Sequence, residues 1–212
     1  MCNFCHLLVK SSYMVDKSNR YNLKIANPIL LETFCSKKKK RFIFPILFAS
    51  LFCFFLPLSI IPLLLTDEES DGFSGFIVFI IFFWIISYYL FKLYLWNKQG
   101  KEIFIIDNRS FSYYSDYGLF RNKVEHRNYS YIGVYFLYNS RLRRTSDAYD
   151  AFISKQKKEA LIKTNSLIYF QLDDAPHRIV SQREIPILAI LELGRRLDIM
   201  AYYRSVNEQN SF

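Results

Sequence analysis

The two longest apolar stretches of this chain contain no Asp, Glu, His or Arg. Residues 42–65 are uncharged throughout, and residues 73–96 carry Lys92 as their one charge. Without an ionisable group at depth, neither stretch reads as a proton relay, an ion site or a voltage sensor. A disulfide framework is also missing. Cys53 lies inside the first apolar stretch, while Cys2, Cys5 and Cys35 fall on the basic side, which is expected to be reducing. No cleavable signal peptide is seen, because the first apolar stretch begins too late and is too long for a signal h-region. Neither a P-loop nor a dinucleotide fingerprint occurs. His6, His126 and His177 are scattered, and Asp173-Asp174 reads as a turn. No paired carboxylates or nucleophile–base set stands out. The expectation is therefore a protein that is not an enzyme and holds no cofactor or metal. Cys2-x-x-Cys5-His6 has the spacing of c-type haem attachment, but no haem-binding fold surrounds it, and it reads as coincidence.

What is present begins with length. At a rise of about 1.5 Å per residue, each apolar stretch crosses a hydrocarbon core of about 30 Å. The sequence thus predicts a transmembrane helix over 42–65, an acidic connector over 66–72 and a second helix over 73–96. Pro45, Pro57 and Pro62 predict kinks or irregular ends in the first helix. Ala49-x-x-x-Cys53 is the small-residue spacing available for packing, and two helices without buried polar groups read as an anchor. Tyr88, Tyr89, Tyr94 and Trp96 form an interfacial belt to which Lys92 snorkels.

Charge sets the orientation. Residues 1–41 carry nine Lys/Arg against two Asp/Glu, the connector carries four acidic residues, and residues 97–212 carry eighteen basic against thirteen acidic. Basic flanks and an acidic connector predict both termini in the cytoplasm of a two-span inner-membrane protein. Lys37, Lys38, Lys39, Lys40 and Arg41 fix that topology and meet anionic headgroups; Cys35 beside them is a candidate for palmitoylation.

Residues 1–41 otherwise read as an N-terminal tail, with Met14 as an alternative start and one short strand at 21–26. Residues 29–34 form an apolar patch suited to a membrane surface. Past the helices, strands are expected at 102–106, 110–115, 123–128 and 131–137, at hairpin spacing. A basic insert at 139–165 breaks this rhythm, with a short helix at its centre. Strands resume at 166–172 and 177–180, and a C-terminal helix spans 183–204, with Ser181-x-x-Glu184 at capping-box spacing.

Leu95-Trp96 leading into Gly100-Lys101-Glu102-Ile103, then Ile106-Asp107, Tyr131-Ile132 and Leu167-Ile168-Tyr169-Phe170, carry a resemblance across residues 42–205. In layout the chain resembles bacterial two-helix membrane proteins with a C-terminal pleckstrin-homology-like domain. That implies an α+β, mainly β barrel over residues 97–212, closed by the C-terminal helix. Lipid-binding members of that wider fold hold an inositide in a basic loop between their first two strands. The equivalent turn here, Asp107-Asn108-Arg109, is short and nearly neutral, so inositide recognition is not implied.

The functional expectation is a membrane-anchored, non-enzymatic interaction module that binds protein or anionic lipid. Its candidate surface is Arg141, Arg143, Arg144, Lys155, Lys157 and Lys158 in the basic insert. Homo-oligomers fit this reading; nucleic acid does not. One alternative is a cyclic-nucleotide-sensing anti-phage membrane effector, similar in size and layout and favoured by the Tyr-rich, basic domain. Another is an immunity protein guarding the membrane against a toxin.

Overall fold

The structure, a computed structural model, describes residues 12–15, 21–34, 43–64, 73–147, 164–173 and 177–209. Cys2, Cys5, His6, Cys35, the Lys37–Arg41 cluster, the connector 66–72 and Lys155, Lys157 and Lys158 lie outside them. The chain divides into two units. One holds residues 1–34, 101–115 and 122–212, and the other holds residues 35–100 and 116–121.

The first unit begins with three strands; the sequence predicts the one at 21–26 and reads the others as tail and membrane-surface patch. β1 (Ser12–Val15), β2 (Tyr21–Ile25) and β3 (Ile29–Phe34) lead, across the inserted second unit, into β4 (Lys101–Ile106), β5 (Ser110–Asp116) and β6 (Glu125–Asn128). The six lie side by side in chain order in one sheet. β3 and β4 pair antiparallel from Ile29 opposite Ile106 to Phe34 opposite Lys101. Ile29, Leu31 and Thr33 therefore alternate into the core. The patch at 29–34 is a core strand, one half of the β3–β4 pair, and β4 supplies the burial.

A second sheet has the order β11 (Ile179–Val180), β10 (Ile168–Leu172), β7 (Ile132–Tyr138), β8 (Arg141–Arg144). The expected strand rhythm stops at 139, yet Arg141–Arg144 returns as a strand paired with Tyr135–Tyr138. Asn139 and Ser140, both at positive φ, make the tight turn between them. Ile132, Val134 and Phe136 share the inner face with Ile168, Phe170 and Leu172. A two-stranded pair, β9 (Asn165–Ser166) with β12 (Ile185–Pro186), precedes helix α3 (Ile187–Gln209).

α3 buries Ile187, Ile190, Leu191, Gly194 and Leu197, the spacing of one helical face. Its first amide, on Ile187, donates to the Thr164 carbonyl at 3.0 Å. The expected capping box does not form: buried Ser181 donates to the Arg183 carbonyl and accepts from the Ile168 amide. At Gly194 a Cβ would collide with Thr145 Oγ1, so only glycine allows this approach.

Phe104, Phe111 and Phe170 meet at ring-centroid separations of 5.1 to 6.3 Å in the centre of this core. Burying each ring contributes about 1.5–3 kcal/mol. The two larger sheets remain separate, and no closed barrel forms among the described residues. One reason is the edge: all four residues of β6 are exposed, so that strand presents no apolar side for closure.

The second unit contains α1 (Ile43–Leu64), α2 (Phe73–Lys98) and residues 116–121. Over Ile43–Ile60 and Gly75–Lys98 the mean hydropathy is 2.3 and 2.2, enough in length and composition to cross a bilayer. Unlike core helices, they leave large side chains uncovered: Phe44 is 79 % and Val78 67 % exposed. α1 runs as one helix through Pro45, Pro57 and Pro62. The helices also share a polar contact, contrary to the expectation of none. Ser50 Oγ donates to the Ser87 carbonyl at 3.0 Å, and Ser87 Oγ donates to the Ser50 carbonyl at 2.9 Å.

Candidate interaction face of the β-rich unit

β-strand alternation divides the arginines that the sequence groups together. Arg141 and Arg143 lie opposite Tyr138 and Phe136 and share one face of β8. Arg144 lies opposite Tyr135 on the other face, with Tyr169 the next residue across the sheet. On that outer face Tyr131, Gly133 and Tyr135 fall at alternate positions. The Arg144 guanidinium lies 5.2 Å from the Tyr131 ring centre, and that of Arg178, just before β11, lies 4.8 Å from the Tyr135 ring centre. Arg178 Nε also donates to Gln171 Oε1 at 3.2 Å.

Gly133 makes a notch in this face. A Cβ there would lie 3.3 Å from the Tyr131 hydroxyl oxygen and 3.4 Å from that of Tyr135. Two phenol hydroxyls thus converge on one point, with a guanidinium stacked on each ring. Burial pushes the Tyr131 hydroxyl above its ordinary pKa, with Arg144 opposing. At neutral pH it remains a donor. Two phenols and two arginine forks suit the oxygens of a phosphate or carboxylate. Asp147 and Asp198 also act on Tyr131; burial holds the Asp198 carboxyl above its usual range, and Arg144 opposes that shift.

Arg178, Tyr131, Gly133 and Tyr135 are not among the site residues expected from sequence. The period-two spacing Tyr131-x-Gly133-x-Tyr135 is the available signal, whereas Arg178 arrives only through sheet pairing.

Along the C-terminal half of α3 runs an open cleft of about 1190 Å³, bordered by the β2–β3 and β4–β5 turns. Ile25, Ile29, Ile199 and Met200 give it apolar walls, and its charged lining sets Arg109, Arg196 and Arg204 beside Asp107 and Glu208. Arg109 pairs with Glu208, and Arg204 donates to the Asn108 carbonyl at 2.6 Å and to the Ser130 carbonyl.

The expected interfacial anchors differ among themselves. Tyr88 and Tyr89 are exposed; Tyr94 is buried in a cluster with Ile43, Leu95 and Tyr117. Lys92 Nζ stands 5.1 Å over the Tyr117 ring, and Trp96 packs on the same ring at 5.2 Å. His126 Nδ1 shares a hydrogen bond with Ser112 Oγ at 2.9 Å on the exposed edge. No group of three His, Cys, Asp or Glu poised for a metal ion occurs among the described residues. No family model, curated protein or solved structure matches the chain.

Proposed function

We propose that this chain is a two-span integral membrane protein of the inner membrane that displays its β-rich unit in the cytoplasm as a non-enzymatic, pleckstrin-homology-like interaction module. Its partner on this reading is an anionic lipid headgroup, taken by the Tyr131–Gly133–Tyr135 face. The observation that carries the reading is the convergence of two hydroxyls over Gly133 with Arg144 and Arg178 stacked beside them. The two exposed apolar helices support the membrane setting.

Each basic side chain near anionic lipid contributes about 1 kcal/mol, so reversing both arginines is expected to weaken binding by more than about tenfold. The test is native mass spectrometry of the full chain in neutral detergent doped with phosphatidylglycerol or phosphatidylcholine. The wild type should retain phosphatidylglycerol preferentially. Arg144→Glu with Arg178→Glu should lose most of that preference, and an unchanged ratio would refute the site.

The cleft along α3 favours a second reading, a cyclic-nucleotide-sensing effector, because apolar walls beside arginines suit a base and a phosphate. Calorimetry of the same protein against cyclic dinucleotides separates the two: heat with an intact lipid preference in the double variant selects the second.

A further inference from the structure

In sequence Tyr117-Gly118-Leu119-Phe120 continues or bulges the strand before it and Arg121-Asn122 signals a turn; the structure folds residues 116–121 as one closed turn. Asp116 and Arg121 pair through an antiparallel backbone bridge, and the Tyr117 amide donates to the Phe120 carbonyl at 2.8 Å. Gly118 has φ +90, and its amide donates to Asp116 Oδ1 at 2.8 Å. The Phe120 ring stacks on Tyr117 at 4.8 Å. This turn belongs to the unit of the two apolar helices. Tyr117 is buried with Ile43, Tyr94 and Leu95; Gln99 Nε2 donates to its carbonyl at 3.2 Å. At Gly118 a Cβ would collide with the Gln99 side chain, so the turn is seated tightly on the end of α2. Leu119, at its tip, is 71 % exposed.

We infer that residues 116–121 form an interfacial wedge, seated on the helix ends, which places Leu119 in the headgroup–acyl boundary of the bilayer. This rests on the reading that α1 and α2 span a membrane. The depth is set by length. α2 has 26 residues, about 39 Å, against a hydrocarbon core of about 30 Å. About 20 residues counted from Phe73 bring the hydrocarbon boundary to Lys92. The Lys92 ammonium lies over Tyr117, so the turn is held at that level. Lysine, tyrosine and tryptophan are the side chains that favour this layer, and all three pack here within one contact shell. An uncovered leucine on a turn fixed at this depth meets lipid, and continuity with the apolar helices makes the bilayer its occupant.

The test uses the full chain in liposomes, with the native cysteines replaced by serine and an environment-sensitive NBD fluorophore placed through Leu119→Cys. Val78→Cys on α2 and Val124→Cys on the β-rich unit serve as references. The Leu119→Cys probe should emit to the blue of the Val124→Cys probe. It should also be quenched several-fold more by a nitroxide at headgroup level than by aqueous iodide. Emission and iodide quenching equal to those of the Val124→Cys probe would overturn the wedge while the Val78→Cys probe still reports lipid. Protection that appears only at high protein-to-lipid ratio would assign Leu119 to a second copy and overturn it as well. A water-exposed Val78→Cys probe would instead defeat the membrane reading on which the wedge rests.

Discussion

Glu102 is fully buried on β4 and accepts from Thr33 Oγ1 at 3.1 Å, from the Tyr113 hydroxyl at 3.0 Å and from the Gln182 amide at 2.9 and 3.1 Å. Desolvation outweighs these donors and the nearby Arg183, and holds the carboxyl above its ordinary pKa. Tyr113, half-buried beside Glu102, is pushed up to about 12 by desolvation. The folded state thus binds the Glu102 proton more tightly than the unfolded chain does. Its stabilising contribution is complete below the ordinary carboxylate range and is lost as pH rises through the raised value. Melting curves of the detergent-solubilised chain, taken from about pH 4 to 8, should show a downward slope that Glu102→Gln flattens. Equal slopes would contradict the assignment. In the sequence Glu102 stands at the head of a strand and signals nothing more. Its partners Thr33 and Gln182 stand 69 and 80 residues away, and no local pattern brings them together.

At the scale of elements, hydrophobic period and turn chemistry read correctly wherever the burial was local. β4, β5, β7, β10 and α3 lie within a few residues of their expected bounds because each carries its own alternation or helical stripe. β3 and β8 escape such a reading, since an apolar patch and an arginine run become strands only beside β4 and β7. The reciprocal Ser50–Ser87 contact is equally hidden, for Ser is common in apolar helices and only the α1–α2 register pairs these two. Such contacts contribute about 0.6 kcal/mol on average in a membrane, with a ceiling near ~1.7. Replacing both, Ser50→Ala with Ser87→Ala, should lower the stability of the helix pair by about 1 kcal/mol. Unfolding in mixed detergent–SDS micelles would measure this; an unchanged midpoint would show that apolar packing alone holds the pair.

For the whole molecule, the decisive fact is that the helix pair interrupts a sheet. Phe34, before the helices, is the register partner of Lys101, after them. On the proposed membrane reading, strands paired in this way lie on one side of the bilayer, which requires an even number of crossings between them. Reporter fusions at the two termini should therefore give the same signal, and a tag within residues 66–72 the opposite one. Termini on opposite sides would be incompatible with the β3–β4 pairing. Charge distribution leads to the same expectation by an independent route. The strand pattern and the resemblance put the domain in residues 97–212, however, and leave the first three strands outside the sheet.

The apolar helix pair, the strand-rich character of the segment beyond it and the C-terminal helix were legible in the sequence, because each depends on composition or periodicity within a short window. It took the folded molecule to show that residues 12–15 and 21–34 complete the main sheet, that Arg144 and Arg178 meet the tyrosines flanking Gly133, and that residues 116–121 join the helices. Those outcomes depend on pairing between segments far apart in the chain. A strand's partner is chosen by complementary burial across the whole core, which no window of sequence contains.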